Sequence, residues 1–282
     1  MSADNRIGKY RLVGILCRSP FARVYLGYDE ELQRQVSIKV SGSSLTDQQL
    51  EAFLGVAPSF AKFDHPHLVP IFDFGRTAEG NGYIVSKYIE GITLAERMRR
   101  DRPAYDESAR VVATVAETLQ YTHERSFLHG DVKPSNILFE NATGTLYVTD
   151  FLMANRAIDN MEGNVVGTPA YMSPEQARGE AHLLDGRSDI FSTGVVFYEL
   201  LTGERPFPGK TVQECLHQVV SVEPVPPRQL NGAVPVELER ICLKALAKRV
   251  EDRYSTAAEL ADELLNWKTK RKWWWLPRLG QR

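Results

Sequence analysis

A chain of 282 residues is about two domains' worth by the usual prior and can bury a substantial core, which excludes disorder as its main state. Apolar residues at 43% and charged residues at 25% are ordinary globular values and exclude collagen-like and low-complexity classes. The 34 basic and 36 acidic side chains leave a net charge of -2, which disfavours a general nucleic-acid binder.

In chain order, short runs rich in Val, Ile, Leu and Tyr predict antiparallel strands over Tyr10 to Leu16, Arg23 to Tyr28 and Gln35 to Val40. Asp47 can cap a helix over 48 to 62, but Gly55 and Pro58 inside it predict a kinked or short element. Strands return at Val69 to Phe74 and Gly82 to Tyr88. From Asp106, read as a cap, Ala109, Val112, Val115, Ala116 and Leu119 fall at helical spacing and predict a buried amphipathic helix. Asp189 to Leu201 is apolar almost all round and, at about 13 residues against the roughly 20 that span a bilayer, reads as a buried central helix. A small strand-rich part thus precedes a larger helical part, joined near residues 86 to 92.

Cys17, Cys215 and Cys242 are widely spaced and form neither a disulfide framework nor a zinc pattern, which fits a reducing cytoplasmic setting. The opening MSADNRIGKYR has no apolar core, and no run of 18 apolar residues occurs, so neither a signal peptide nor a spanning helix is expected.

The chemistry concentrates in residues 129 to 151. Asp131, Lys133 and Asn136 in one loop can supply an acceptor for a hydroxyl proton, a cation for phosphate and a metal-binding amide. Asp150, after a predicted hairpin, can complete a Mg²⁺ site of hard oxygen ligands. Each of these residues alone is an ordinary turn former or solvated group; the set at this spacing is specific.

The chain resembles the eukaryotic-like (Hanks-type) Ser/Thr protein kinases of bacteria, as a divergent member, over roughly residues 8 to 266. HGDVKPSN at 129 to 136 resembles the catalytic loop, VSIK at 36 to 39 the nucleotide-lysine strand, and DFL at 150 to 152 the metal-binding segment. GTPAYMSPEQ at 167 to 176 resembles the substrate-docking stretch, DGRSDIFSTGVVFYELLTGERPF at 185 to 207 the central-helix region, and CLKALAKRVEDRY at 242 to 254 the last helical segment. The resemblance implies an α+β, protein-kinase-like bilobal fold with a small antiparallel-sheet N-lobe (about 8–87) and a larger helical C-lobe (about 92–266), followed by a basic, Trp-rich tail at 267–282.

Residue by residue, the resemblance implies that Lys39 reaches the α/β-phosphates of ATP and that Leu16 and Val24 line the nucleotide site. The segment from Ile84 to Gly91 resembles the hinge that holds adenine through its backbone, at Lys87, Tyr88 and Ile89, with Ser86 at the gate to the rear pocket. Asp131 is then the catalytic base, Lys133 a γ-phosphate contact, and Asn136 and Asp150 the Mg²⁺ ligands. Glu175 and Arg253 should form a buried ion pair, and Asp189 should brace the catalytic loop by accepting backbone N–H bonds.

The chain also departs from the family pattern. The three glycines of the phosphate-covering loop fall within Cys17-Arg18-Ser19-Pro20-Phe21-Ala22 and are all replaced. A glycine there lets the backbone visit φ > 0, which costs other residues about 1–2 kcal/mol. The regulatory-helix glutamate falls on Val56, leaving Lys39 without an obvious partner; Glu51 lies about 140° around the helix, with Asp47 and Asp64 as the remaining candidates. Gly130 replaces the arginine that grips an activation-loop phosphate, Leu152 replaces a glycine, and no Ser, Thr or Tyr occurs between Phe151 and Gly167. Activity should therefore not depend on phosphorylation of that loop.

All four tryptophans, Trp267, Trp273, Trp274 and Trp275, lie in the tail, where six basic side chains meet no acidic one. That composition suits an anionic membrane surface at the inner face; packing on the large lobe or on a partner is the competing reading, with nucleic acid third. Two function classes follow: an ATP-dependent protein Ser/Thr kinase acting on a protein substrate or signalling partner at reduced rate, or a pseudokinase serving as a nucleotide-binding, scaffolding or allosteric module.

Overall fold

The computed structural model describes residues 6–18, 22–42, 46–55, 57–151 and 168–269. The chain forms two compact units, one drawn from Met1–Leu94 and Ser135–Glu162, the other from Ala95–Pro134 and Gly163–Arg282.

The first unit is built on a six-stranded antiparallel sheet from β1 (Arg6–Ile7), β2 (Tyr10–Arg18), β3 (Ala22–Asp29), β4 (Arg34–Ser41), β5 (Ile71–Arg76) and β6 (Gly82–Lys87), in the order β1-β2-β3-β4-β6-β5. Alternation along β4 buries Val36 and Ile38 completely and turns Ser37 and Lys39 to the opposite face. Ile7, Tyr10 and Val85 join Val36 and Ile38 in one core. The predicted kinked helix is two pieces, α1 (Asp47–Gly55) and α2 (Ala57–Phe60), and Pro58 sits in the first turn of α2, where its missing N–H leaves no bond unmade. Val56 lies outside the described residues. Phe53, Ala57 and Ile84 form a second core under these helices. Gly82 permits that seating, because a Cβ there would stand 2.7 Å from Leu50 Cδ1 and 2.9 Å from Phe53 Cδ1.

A second, three-stranded sheet belongs to the same unit: β7 (Gly91–Thr93), β8 (Ile137–Glu140) and β9 (Leu146–Val148). Gly91 is required by close approach, since a Cβ on it would lie 1.8 Å from the Phe139 carbonyl oxygen.

The second unit is helical: α3 (Leu94–Arg100, its first residue closing the first unit), α4 (Tyr105–His123), α5 (Pro174–Ala177), α6 (Gly186–Thr202), α7 (Val212–Ser221), α8 (Pro227–Leu230), α9 (Val236–Ala245) and α10 (Ala257–Leu265). Ala109, Val112, Val115, Ala116 and Leu119 form the buried face of α4, as their spacing predicts, against α6 and α10. A side chain such as Leu119, fully buried, contributes about 1.5–3 kcal/mol. The start of α4 is corrected by two residues: Ala104, not Asp106, is the cap position, and Asp106 lies in the first turn, where a carboxylate is favourable to the helix dipole. Likewise α6 begins before Asp189, because the Asp185 carboxylate caps it by accepting the Arg187 N–H at 2.8 Å. It ends at Gly203, whose φ of 82° stops the helix.

Candidate active site

In the first unit, Lys39 projects from a central strand paired on both sides, Val24 opposite it on β3 and Ile84 on β6. Cys17 pairs in turn with Val24, so Cys17, Val24 and Lys39 share one sheet face. The Lys39 ammonium lies 2.8 Å from Asp150 Oδ1. Lys39, for which the helix offers no obvious partner, thus pairs with a distant carboxylate that local helix spacing could not reveal. Glu51 turns outward and pairs with Arg76 instead. Position 152 is outside the described residues, as are Ser19, Pro20 and Phe21.

Asp150 is held with φ at 69°, a conformation that costs a residue with a side chain about 1–3 kcal/mol and marks a constrained position. The constraint comes from both sides. The Thr149 N–H donates to the Asn136 carbonyl at 3.0 Å and the Val148 N–H to the His67 carbonyl at 2.7 Å. Phe151 is buried with its ring 5.2 Å from that of Phe60 on α2. Asn136, also buried, lies just before β8 and Asp150 just past β9, so both stand at the open end of the β8–β9 hairpin. Carboxylate and amide oxygen are the donors a hard divalent cation takes. Among the described residues no cluster of three His, Cys, Asp or Glu side chains forms a complete metal cage.

Leu16 is largely exposed at a β-bulge of β2, and Val24 is half-buried. Neither Cys17, Arg18 nor Ala22 has positive φ, so the lost glycines leave no strain in these strands. Lys87 ends β6 with its N–H donated to the Pro70 carbonyl at 3.0 Å; Tyr88 is half-buried and Ile89 buried. The Lys87 side chain reaches Glu140 Oε1 at 2.8 Å and donates to the Tyr147 hydroxyl at 2.8 Å. These contacts raise the Lys87 ammonium and hold the Glu140 carboxyl below its ordinary value.

In the second unit, the loop after α4 hangs on Asp189. Its Oδ2 accepts the His129 N–H at 2.8 Å and lies 2.7 Å from His123 Nε2, while Oδ1 accepts the Gly130 N–H at 2.8 Å. Burial pushes the Asp189 carboxyl up, but His123, His129 and the backbone bond outweigh it and hold the group below the usual carboxylate value. Gly130 turns the chain with φ at 72°, and its carbonyl accepts from Gln176 Nε2 at 2.8 Å. Lys133 then pairs with Asp131 and donates to Thr168 Oγ1 at 2.9 Å, gathering a carboxylate, an ammonium and a hydroxyl.

The expected Glu175–Arg253 pair is present at 2.8 and 2.9 Å, fully buried, with Ser188 donating to Glu175 at 2.6 Å. Burial raises the Glu175 carboxyl, yet Arg253 and Ser188 hold it below the ordinary value. Sequence reasoning missed His123 and Gln176. The available signal for His123 was its place in the last turn of a buried helix, where an imidazole also meets the helix carbonyl end.

The protein kinase domain family matches residues 10–272. A serine/threonine-protein kinase PknB from Mycobacterium leprae is 37% identical over 267 residues, covering 91% of this chain and 42% of the relative. The PknB of Mycolicibacterium smegmatis is 37% identical over 270 residues, again 91% of this chain and 42% of the relative. A probable PknB from Bifidobacterium longum is 34% identical over 277 residues, 92% of this chain and 40% of that protein. The chain thus spans 40–42% of the length of these relatives.

Proposed function

Since the chain belongs to the protein kinase family, we propose that it is a protein Ser/Thr kinase that transfers the γ-phosphoryl group of ATP to protein hydroxyls with Mg²⁺. The observation that carries this reading is the convergence of Asp131, Lys133 and Thr168, a carboxylate and an ammonium beside a hydroxyl, on a loop braced by buried Asp189.

In this reading Asp131 accepts the proton of the acceptor hydroxyl and Lys133 steadies the charge on the transferred group. Lys39 holds the α/β-phosphates, the backbone at Lys87, Tyr88 and Ile89 takes adenine, and Leu16 and Val24 cover it. Asn136 and Asp150 would hold Mg²⁺, which neutralises phosphate charge when bound. The donor set fits, because two oxygen ligands at the open end of one hairpin suit a cation that takes most of its shell from phosphate and water. Gly130, which has no side chain to grip a phosphate, and the absence of hydroxyls between Phe151 and Gly167 support activity without activation-loop phosphorylation.

Incubation with γ-labelled ATP and a generic acceptor protein tests the reading. It predicts phosphoserine and phosphothreonine in the acceptor; nucleotide binding without any phosphorylated product would overturn it in favour of a pseudokinase.

The tail, with six basic and no acidic groups, supports a second contact, with an anionic membrane surface. Among the described residues no helix is long and apolar enough to cross a membrane. Residues 270–282 lie outside the described residues, and Lys268 pairs with Asp106 at 2.6 Å. Salt-sensitive pelleting with phosphatidylserine vesicles, lost on deleting 268–282, is expected; equal pelleting of both forms would contradict the contact.

A further inference from the structure

The Lys87 side chain has no part in the roles given above, which use only its backbone, yet its contacts are specific. The ammonium meets Glu140 at the end of β8 and the hydroxyl of Tyr147 on β9, 4.6 Å from the Tyr147 ring centroid. One cation therefore spans both strands of the hairpin. Glu140 is itself oriented, since Thr143 Oγ1 donates to its other oxygen at 2.6 Å. The hinge backbone joins the same hairpin: the Asn141 N–H donates to the Glu90 carbonyl at 2.8 Å, and Gly91–Thr93 pairs with β8.

At the opposite end of this hairpin stand Asn136 and Asp150. Ile137 pairs with Val148, and the Thr149 bond to Asn136 continues the ladder past the last strand residue. A short, fully paired hairpin transmits a tilt as a rigid piece, because shifting one end breaks the ladder or moves the other end. We propose that Lys87 is a positioning residue whose grip on Glu140 and Tyr147 sets the hairpin against the adenine hinge and so places Asn136 and Asp150 for the nucleotide-bound divalent cation. The inference rests on the kinase reading and adds a residue that acts through others. Outer partners that orient metal ligands typically alter metal affinity by roughly 10–100-fold when removed, and Lys87 belongs at the lower end because it acts through a hairpin.

The test titrates a fluorescent ATP analogue against the full chain, with EDTA and with rising Mg²⁺, for wild type, Lys87→Met, Lys87→Arg and Glu140→Gln. Lys87→Met and Glu140→Gln are expected to raise the Mg²⁺ concentration for half-maximal binding roughly tenfold, and Glu140→Gln to leave metal-free binding within about twofold. Lys87→Arg, which keeps the charge and the hydrogen bonds, should recover most of the loss. Glu140→Gln is nearly isosteric and guards against a misfolded Lys87 variant. An unchanged Mg²⁺ midpoint in both variants, or an equal loss with and without metal, would overturn the inference and leave the kinase reading standing. A wild type with no Mg²⁺-dependent nucleotide binding would overturn both.

Discussion

The second unit holds the Asp131 loop from a fully buried brace, whereas the ion pairs of the first unit are only partly buried. Asp189 is buried and fully engaged by His123 and two backbone N–H groups, and Glu175–Arg253 is sealed from water. The Lys39–Asp150 pair instead keeps side-chain exposures of 16% and 37%, and Lys87 and Glu140 keep 34% and 16%. Buried polar hubs fix geometry because any displacement strands a charge in a dry interior; half-exposed pairs can exchange partners with water and ligand. The difference teaches that the groups proposed to perform proton acceptance are preorganised by the fold, while those proposed to hold nucleotide and metal remain free to re-pair when these bind.

The largest effect that breaks this contrast is on stability in the second unit. Arg253→Ala strands Glu175 in the interior and is expected to cost about 3–5 kcal/mol, read from the urea midpoint. A loss under about 1 kcal/mol would show that water reaches the pair. Lys39→Met should do the reverse, lowering phosphotransfer by at least about a hundredfold while changing stability by less than about 1 kcal/mol, because its partner is half-exposed. Calorimetry alongside a rate assay separates the two quantities, and a large stability loss would contradict the contrast.

A smaller effect concerns the β2–β3 hairpin, proposed to cover phosphate. Cys17 shares a sheet face with Lys39 without positive φ, so a glycine relieves nothing at rest and helps only when phosphate draws the backbone in. Cys17→Gly is expected to raise kcat/KM for ATP about two- to tenfold with an unchanged melting temperature. No gain in kcat/KM would show that the hairpin is not limiting.

A further effect is a pH dependence in the second unit. Lys248 donates to the Val219 carbonyl at 2.6 Å and lies 3.7 Å from the Phe207 ring centroid. Burial lowers its pKa to about 8 from 10.5, with Arg253 and Arg178 adding to the fall and Glu223 opposing it. Between these values the unfolded chain binds more protons than the folded one, so stability rises with pH from about 8 to 10.5. Subtracting the curve of Lys248→Met should isolate this rise; parallel curves would contradict it.

What was legible in the sequence was what repeats locally or rests on a motif. Alternation revealed the Val36 and Ile38 face of β4, helical spacing the buried face of α4, and motif resemblance both the Asp189 brace and the Glu175–Arg253 pair. What escaped depends on contacts across long separations. Lys39 finds Asp150, and Lys87 finds Glu140 and Tyr147, across the fold of the first unit and not along the sequence. His123 likewise meets Asp189 through the packing of α4 on α6. The start of α4 was misread because Asp106 is as favourable inside a first turn as at a cap.

The central claim is that the braced loop carries out phosphoryl transfer with Asp131 as proton acceptor, and single-turnover transfer from saturating Mg²⁺·ATP to an acceptor protein tests it most directly. The wild type is expected to exceed Asp131→Asn by roughly a hundredfold or more, with both binding nucleotide alike. Equal rates in the two proteins would contradict it.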